Sequence, residues 1–220
     1  MKKSIILFAI ILFIGFTTNL FAQKDRKLSK GFSANLVLGI PSDTYGLESD
    51  ADIEEAYKLG NIWGIQLGNR WYFSPKENYG FGLMVNWIDF SGAYKTGTIS
   101  GQDFTRAVVD LTFLEFGPVA TYAVNDNIAL DAYYNLRPTG FGHTVIVTGM
   151  DGDETWSYVG FGFSHALGAA FRYKVFNAGF EYVMGGINSD GAYSGSMDDI
   201  TLDSEKNMTN SFRIMLGIKL

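Results

Sequence analysis

The amino-acid sequence predicts an all-β fold, an eight-stranded antiparallel up-and-down transmembrane β-barrel, from three observations. Eight segments alternate apolar and polar residues with a period of two, the pattern of a strand that has one apolar face. The connections between these segments are alternately long and short, as in barrels with short turns on one side of a membrane and longer loops on the other. The opposite face carries Gly, Ser, Gln, Asn, Glu and Arg, which cannot form a soluble core, so the apolar face is expected to point outward.

Residues 1–22 are predicted to be a cleaved signal peptide, which leaves 23–220 as the barrel domain. Lys2 and Lys3 precede an uncharged apolar run at 5–16, and a small-residue region that ends at Ala22 follows it. The run is shorter than the ~20 residues that a membrane-spanning helix needs. An uncleaved membrane anchor is the alternative interpretation.

The composition argues against several kinds of site and partner. The chain has no cysteine, so it can form neither a disulfide nor a thiolate metal site. Once Lys2 and Lys3 are removed, 15 of the 17 basic residues remain against 23 acidic ones, a net charge of about −8. This charge argues against nucleic acid as a partner.

The predicted strands end with a segment that alternates up to the last residue. In that segment Phe212, Ile214 and Leu220 share one face. The fourth strand is the least regular, because its apolar phase shifts by one residue at Leu114, which predicts a β-bulge close to Pro118. In order, the predicted strands cover about 31–40, 61–73, 79–90, 107–123, 128–137, 158–173, 178–187 and 208–220.

Aromatic residues recur along the apolar faces and are predicted to form girdles at the two membrane interfaces. Trp63 and Trp71 lie eight residues apart on one face, as do Tyr79 and Trp87. Eight residues of a tilted strand rise roughly 20 Å, close to the ~25 Å height of an apolar band. The alternative is that aromatic residues simply favour strands. The predicted outer girdle contains Trp63, Trp87 and Phe161, and the periplasmic girdle contains Phe32, Trp71, Phe73, Tyr79, Tyr122 and Tyr173.

Charged residues on the inner face are predicted to form a lumen network. If residue 187 pairs with residue 207 across the last loop, Glu181 falls opposite Arg213. Enclosed charges must be paired, because unpaired burial is costly. The network is expected to fill the barrel and fix its register; a gated narrow conduit is the functional alternative. The predicted members are Arg70, Glu115, Asp131, Arg172, Glu181 and Arg213.

The long connections are expected to lie outside the cell, and two of them are acidic. The charges sum to about −5 in the connection at 41–59 and to about −4 in the one at 188–206. Such carboxylates could collect Ca²⁺ or Mg²⁺ or contact a basic partner, although a solvated mobile loop is the simpler interpretation. The DGDE sequence at 151–154 has too few ligands for an EF-hand. No metal site and no cofactor are predicted.

The two histidines give little support to an enzyme. Ser164 and His165 resemble the Ser/His pairs of lipid-A-modifying barrels, but adjacent strand residues point to opposite faces. His143 is expected in the third long loop, where spacing fixes no nucleophile beside it. No catalytic residue is therefore predicted.

The alternating strands, the LEFGP segment at 114–118 and the terminal RIMLGIKL resemble the small outer-membrane β-barrel family that includes the OmpA transmembrane domain and OmpX. The resemblance covers the chain from about Gly31 to Leu220. It implies export to the outer membrane of a Gram-negative bacterium, where lipid and lipopolysaccharide surround a monomer. It also implies that the insertion machinery recognises the terminal strand, although this strand ends in Leu220 where the family usually has Phe.

Architecture alone does not define function. The leading expectation is a non-enzymatic structural or surface-interaction role through the acidic external loops. The second is a narrow porin-like channel for small solutes or ions, and the distant third is a lipid-A-modifying enzyme. An eight-stranded barrel usually has room only for side chains, which sets this order.

Overall fold

In the computed structural model, the chain is described for residues 28, 30–47, 58–73, 75–99, 101–149, 152–194 and 202–220. The predicted signal peptide lies outside these residues. Within them, no helix is long and apolar enough to cross a membrane. The strands are β1 Gly31–Pro41, β2 Ile62–Tyr72, β3 Tyr79–Ile99, β4 Gln102–Ala123, β5 Ile128–Gly149, β6 Gly152–Tyr173, β7 Phe176–Met184, β8 Gly186–Ser194, β9 Leu202–Met208 and β10 Ser211–Lys219.

Eight of these strands close into a barrel. Neighbours pair antiparallel from β1 to β7, β7 pairs with β10, and β10 pairs with β1. Closure leaves none of the eight wall strands as a free sheet edge, which is the requirement for spanning a membrane with strands. The antiparallel barrel that the alternation predicts is therefore confirmed.

The count of ten strands differs from the predicted eight because two long strands are interrupted. β7 and β8 are separated by Gly185, and β9 and β10 by Thr209 and Asn210. Across this gap Asn210 Oδ1 accepts the Gly185 N–H at 3.1 Å, so a side chain replaces a ladder partner. The register is the same on both sides, as the pairing of Ile187 with Asn207 and of Glu181 with Arg213 shows.

The barrel has apolar residues outside and polar residues inside. Outward side chains such as Leu36, Trp63 and Phe81 are each about two-thirds exposed. Inward side chains such as Glu115 and Arg213 are almost fully buried, at 0% and 1% exposure. A wall with this polarity requires an apolar surrounding, so the fold is a transmembrane β-barrel.

Three of the predicted long loops are β-hairpins. β3 and β4 remain paired up to Ile99 and Gln102, β5 and β6 up to Gly149 and Gly152, and β8 and β9 up to residues 192 and 202. The prediction of loops at 91–106, 138–157 and 188–206 is therefore wrong over most of their length. Threonine, valine and aromatic residues continue the strand pattern there, and these types favour extended backbone.

Two bulges change the phase of the wall. The predicted bulge in β4 is confirmed: pairing with β5 slips between Thr112 and Phe116, and Leu114 has φ of 59°. A second bulge, in β3, lies beside the register shift at Leu67 and leaves Trp87 without a direct partner in β2. A bulge shifts the alternation by one residue, so the residues that follow it point to the face opposite to the one that simple alternation predicts. Asp89 therefore points inward.

The tryptophans do not all lie at the predicted depths. Trp71 and Trp87 pack edge to face with ring centroids 6.1 Å apart, so they cannot mark opposite interfaces. The register causes this, because Trp71 pairs with Leu83 rather than with Tyr79. Most of the other predicted girdle residues are exposed on the outer face, namely Trp63, Phe73, Tyr79, Tyr122, Phe161 and Tyr173, with exposures of 66%, 73%, 50%, 54%, 65% and 45%, and Phe32 is half-buried.

Gly117 marks a close approach of β4 and β5 and provides a test of the wall geometry. A Cβ at this position would clash with the carbonyl oxygen of Tyr134 and lie 2.8 Å from the Cα of Asn135. Because the backbone must shift, we expect Gly117→Ala to lower the free energy of unfolding by about 1–3 kcal/mol. Gly140→Ala is the control, since its Cβ would meet only the Leu111 carbonyl oxygen at 3.5 Å. Heat-dependent gel migration measures the two unfolding temperatures, and equal values would contradict this description.

Candidate functional site

The polar residues of the interior form three clusters at different depths. Each cluster combines inward side chains from several wall strands, because the pleat directs every second residue into the lumen. We refer to them as the periplasmic, central and outer clusters, after the sides of the membrane that the sequence predicts. They are held by ion pairs and hydrogen bonds between residues distant in sequence.

The periplasmic cluster is centred on Asp131 of β5. Arg172 donates to both of its carboxylate oxygens, at 2.8 Å from Nε and 3.0 Å from Nη2, and Arg70 pairs with the same carboxylate. The hydroxyl of Thr121 donates to Asp131 at 2.5 Å, and that of Tyr72 accepts from Arg172 at 3.2 Å. The carboxylate is therefore saturated by donors from β2, β4 and β6.

The central cluster contains five buried charged residues. Arg213 Nη2 lies 2.8 Å from both carboxylate oxygens of Asp89, and Arg137 Nη2 lies 3.1 Å from the same group. Arg137 Nε also pairs with Glu115 at 3.1 Å, while Arg213 Nε pairs with Glu181 at 3.2 Å. Each guanidinium thus bridges two carboxylates, and Asp89 joins the two halves.

Neutral side chains complete the central cluster. Asn86 and Asn135 donate to the same oxygen of Glu115, at 2.9 and 2.6 Å, and the hydroxyl of Tyr133 donates to Glu181 at 3.1 Å. Donors of this kind take up the carboxylate lone pairs that the arginines leave, as a buried ion pair requires. The network joins side chains from β3, β4, β5, β7 and β10 across the lumen.

The outer cluster lies above the central one, on the side of the long hairpins. Arg106 Nε donates to His143 Nε2 at 3.2 Å, and the ring of His143 stacks on Tyr158 with centroids 5.9 Å apart. The hydroxyl of Tyr45 donates to Asp110. The prediction of His143 in a loop is wrong, because β5 extends past this residue and buries it.

Three apolar layers occupy the same interior. Along β4, Val119 of the middle layer lies between Thr121 of the periplasmic cluster and Glu115 of the central one. The separation is partial, because Gln66 Nε2 donates to Asp89 at 3.3 Å and Gln66 is linked by side-chain hydrogen bonds through Asn35 to Asn177, while Asp110 lies on the central side of Val108. The lowest layer consists of Leu28, Tyr72 and Ala123; the middle one of Val37, Met84, Val119, Tyr133 and Met215; and the upper one of Tyr45, Ile62, Ala93, Val108, Phe141 and Ile187.

All six residues predicted for the lumen network point inward, but they belong to two clusters rather than one. Arg70, Asp131 and Arg172 lie in the periplasmic cluster, whereas Glu115, Glu181 and Arg213 lie in the central one. The middle apolar layer separates them. Their contribution to stability and function stays a prediction.

Sequence reasoning missed two charges that hold the central cluster together. Asp89 follows the β3 bulge, so simple alternation assigns it to the wrong face. The sequence does contain a signal for this bulge: Trp87 and Ile88 are two consecutive apolar residues that interrupt the alternation, and both of them point outward. Arg137 lies six residues after Asp131 on β5, so alternation places both on the inward face, but the sequence does not indicate which residues Arg137 pairs with.

The interior does not bring a catalytic pair together at Ser164 and His165. Ser164 is buried and exchanges a hydrogen bond with Thr139 at 2.9 Å. His165 lies on the outer surface, where its ring stacks on Tyr134 and Nδ1 lies 2.6 Å from that hydroxyl. Among the residues that the structure describes, no three His, Asp or Glu side chains form a group that could hold a metal ion.

Comparison with known proteins adds little beyond the fold. No protein-family model matches the chain, and a search of curated proteins finds no match. Among solved structures, the chain is similar to Ail, the attachment invasion locus protein of Yersinia pestis, with 13% identity and a TM-score of 0.44 over 87% of this chain and 97% of that chain. Ail in complex with the heparin analogue sucrose octasulfate gives 13% identity and a TM-score of 0.43 over the same shares.

A triple mutant of the porin of Rhodopseudomonas blastica is similar at 12% identity and a TM-score of 0.15, over 87% of this chain and 99% of that chain. Similarities at this level carry no inference about function. The barrel assignment rests on the strand pairing and on the polarity of the wall.

Arg213 provides a test of the central cluster. We expect Arg213→Ala to lower the free energy of unfolding by about 3–5 kcal/mol, because it leaves the carboxylates of Asp89 and Glu181 buried without this partner. The measurement is the unfolding temperature of the refolded protein in detergent. Lys76→Ala, at an exposed turn position, is the control and should leave that temperature unchanged. An unchanged value for Arg213→Ala would show that the cluster does not stabilise the barrel.

Proposed function

We propose that the protein is a non-conducting outer-membrane barrel that acts at the cell surface, through the hairpins that its closed wall supports. The observation that carries this proposal is the filled interior. Three polar clusters and three apolar layers occupy the lumen, and their residues are mostly less than a tenth exposed. An eight-stranded barrel has an interior just wide enough for such side chains.

The hairpins are the part of the molecule available for recognition. The outward apolar band extends up to residues such as Phe90, Val109 and Val159, and the strand pairs continue beyond it by several residues. Continuous pairing makes these extensions stiffer than free loops. A surface presented in this way favours an interaction role, since binding residues concentrate on loops held by a rigid scaffold.

The proposed partners follow from charge and location. The described parts of the predicted external segments expose Asp43, Asp153 and Asp190, which favours a basic partner over nucleic acid. The outward apolar face fits outer-membrane lipid and the lipopolysaccharide layer. We further propose a monomer, with the signal peptide cleaved and the terminal strand read by the insertion machinery. No catalytic role and no cofactor form part of the proposal.

The alternative function is passage of small solutes or ions through the lumen, and an electrical measurement separates the two. We expect no discrete current steps from the refolded protein in a planar bilayer, because buried side chains fill the lumen. Heat-dependent gel migration must show that the sample is folded. Reproducible single-channel steps from folded protein would reject the non-conducting barrel and support a narrow channel.

Labelling of intact cells tests the proposed location and orientation. The chain lacks cysteine, so a single thiol reports its own position. Gln102→Cys, at the exposed β3–β4 hairpin end, should react with a membrane-impermeant maleimide, because the proposal puts that end outside the cell. Glu77→Cys, in a short turn, is the matched control and should react only after the outer membrane is permeabilised. Labelling of Glu77→Cys but not of Gln102→Cys in intact cells would reject the proposed orientation. Labelling of neither variant in intact cells would reject the surface location.

A further inference from the structure

The first extracellular connection turns inward as soon as β1 ends. Three main-chain hydrogen bonds tie it to the end of β9 and the gap before β10: Ser42 N–H to Asn210 at 2.9 Å, Gly46 N–H to Met208 at 2.7 Å, and Met208 N–H to Leu47 at 2.8 Å. The segment thereby continues the seam between the first and last strands. We call residues 42–47 the inner turn.

Tyr45 is the residue that the inner turn places in the lumen. Its side chain is 1% exposed and its hydroxyl donates to Asp110. Its carbonyl oxygen accepts from Arg106 Nη2 at 2.5 Å. The ring belongs to the upper apolar layer, whose other members come from five different strands: Ile62, Ala93, Val108, Phe141 and Ile187.

Gly46 makes the close approach possible. Its φ of 74° is a left-handed conformation that glycine adopts without strain. A Cβ would lie 2.9 Å from Cγ2 of Val108 and 3.5 Å from the ring of Phe141. Both backbone conformation and space therefore require glycine beside the buried tyrosine.

From this geometry we propose that the inner turn is an outer seal, in which Tyr45 closes the upper apolar layer and isolates the central cluster from external water. An aromatic ring with a polar tip suits this position, because the ring excludes water and the hydroxyl finds a partner within the wall. The ion pairs below the seal are stronger in a dry environment. The seal is a separate inference from the surface role, which does not require it.

Access of a reagent to a thiol below the seal tests this proposal. Ser91 is buried and points inward on β3, between Asp89 of the central cluster and Ala93 of the upper layer. The Ser91→Cys variant, whose new cysteine is the only thiol in the chain, is refolded in detergent and treated with a small water-soluble thiol reagent. We expect slow labelling with Tyr45 present and an increase of at least about tenfold with Tyr45→Ala added, because removal of the ring opens the layer.

Two further variants complete the experiment. Asp43→Ala is the matched control, because Asp43 lies in the same turn but is exposed, and its 3.1 Å ion pair with Lys58 is at the surface; it should leave the labelling rate unchanged. Tyr45→Val keeps an apolar side chain and takes the place of Tyr45→Ala if the alanine variant does not fold. We expect it to raise the labelling rate less than Tyr45→Ala does. An unchanged rate in a folded Tyr45 variant, or an equal increase with Asp43→Ala, would overturn the seal.

The outcome is independent of the surface role. Conduction by the unsubstituted protein would reject the non-conducting barrel, whereas labelling that is insensitive to Tyr45 would reject only the seal.

Discussion

The pairing of Asp89 with Arg137 and Arg213 is the constraint on which the rest of the structure depends. These residues come from β3, β5 and β10, so their contacts cross the lumen in two directions. A charge without a partner inside a membrane barrel is costly, and the wall can therefore adopt only a diameter and register that bring all of them together. The bulge in β3 is part of this solution, since it turns Asp89 inward.

Under the proposed surface role, the filled lumen leaves the hairpin end of the barrel as the part available for recognition. Apolar layers and hydrogen-bonded polar side chains fill the lumen around the ion pairs of the central cluster. The same strands that enclose them continue as paired hairpins beyond the apolar band. A rigid, closed wall with extended hairpins is a scaffold that holds a surface in a fixed position, and the chemistry of that surface then decides what it binds.

The inner turn shows how a connection can become part of the core. Its main chain extends the seam between β1 and β10, and the side chain of Tyr45 enters the layer above the ion pairs. The interruption of the last strand at Thr209 and Asn210 leaves the neighbouring main chain free to bond with this turn. Seam, turn and upper layer therefore stabilise one another.

Outside the bulged part of β3, the sequence by itself determined which residues face the lipid and which face the lumen. The pleat has a period of two, so alternation identifies the inward position of Arg70, Glu115 and Arg213, and the pairing of residue 187 with residue 207 across the last long connection gives the pairing of Glu181 with Arg213. Only the tertiary structure decided depth. Strand tilt, bulges and register across the barrel bring Trp71 beside Trp87, divide the lumen charges into two clusters and recruit Asp89 and Tyr45. These distances depend on several strands at once, and no single stretch of sequence contains them.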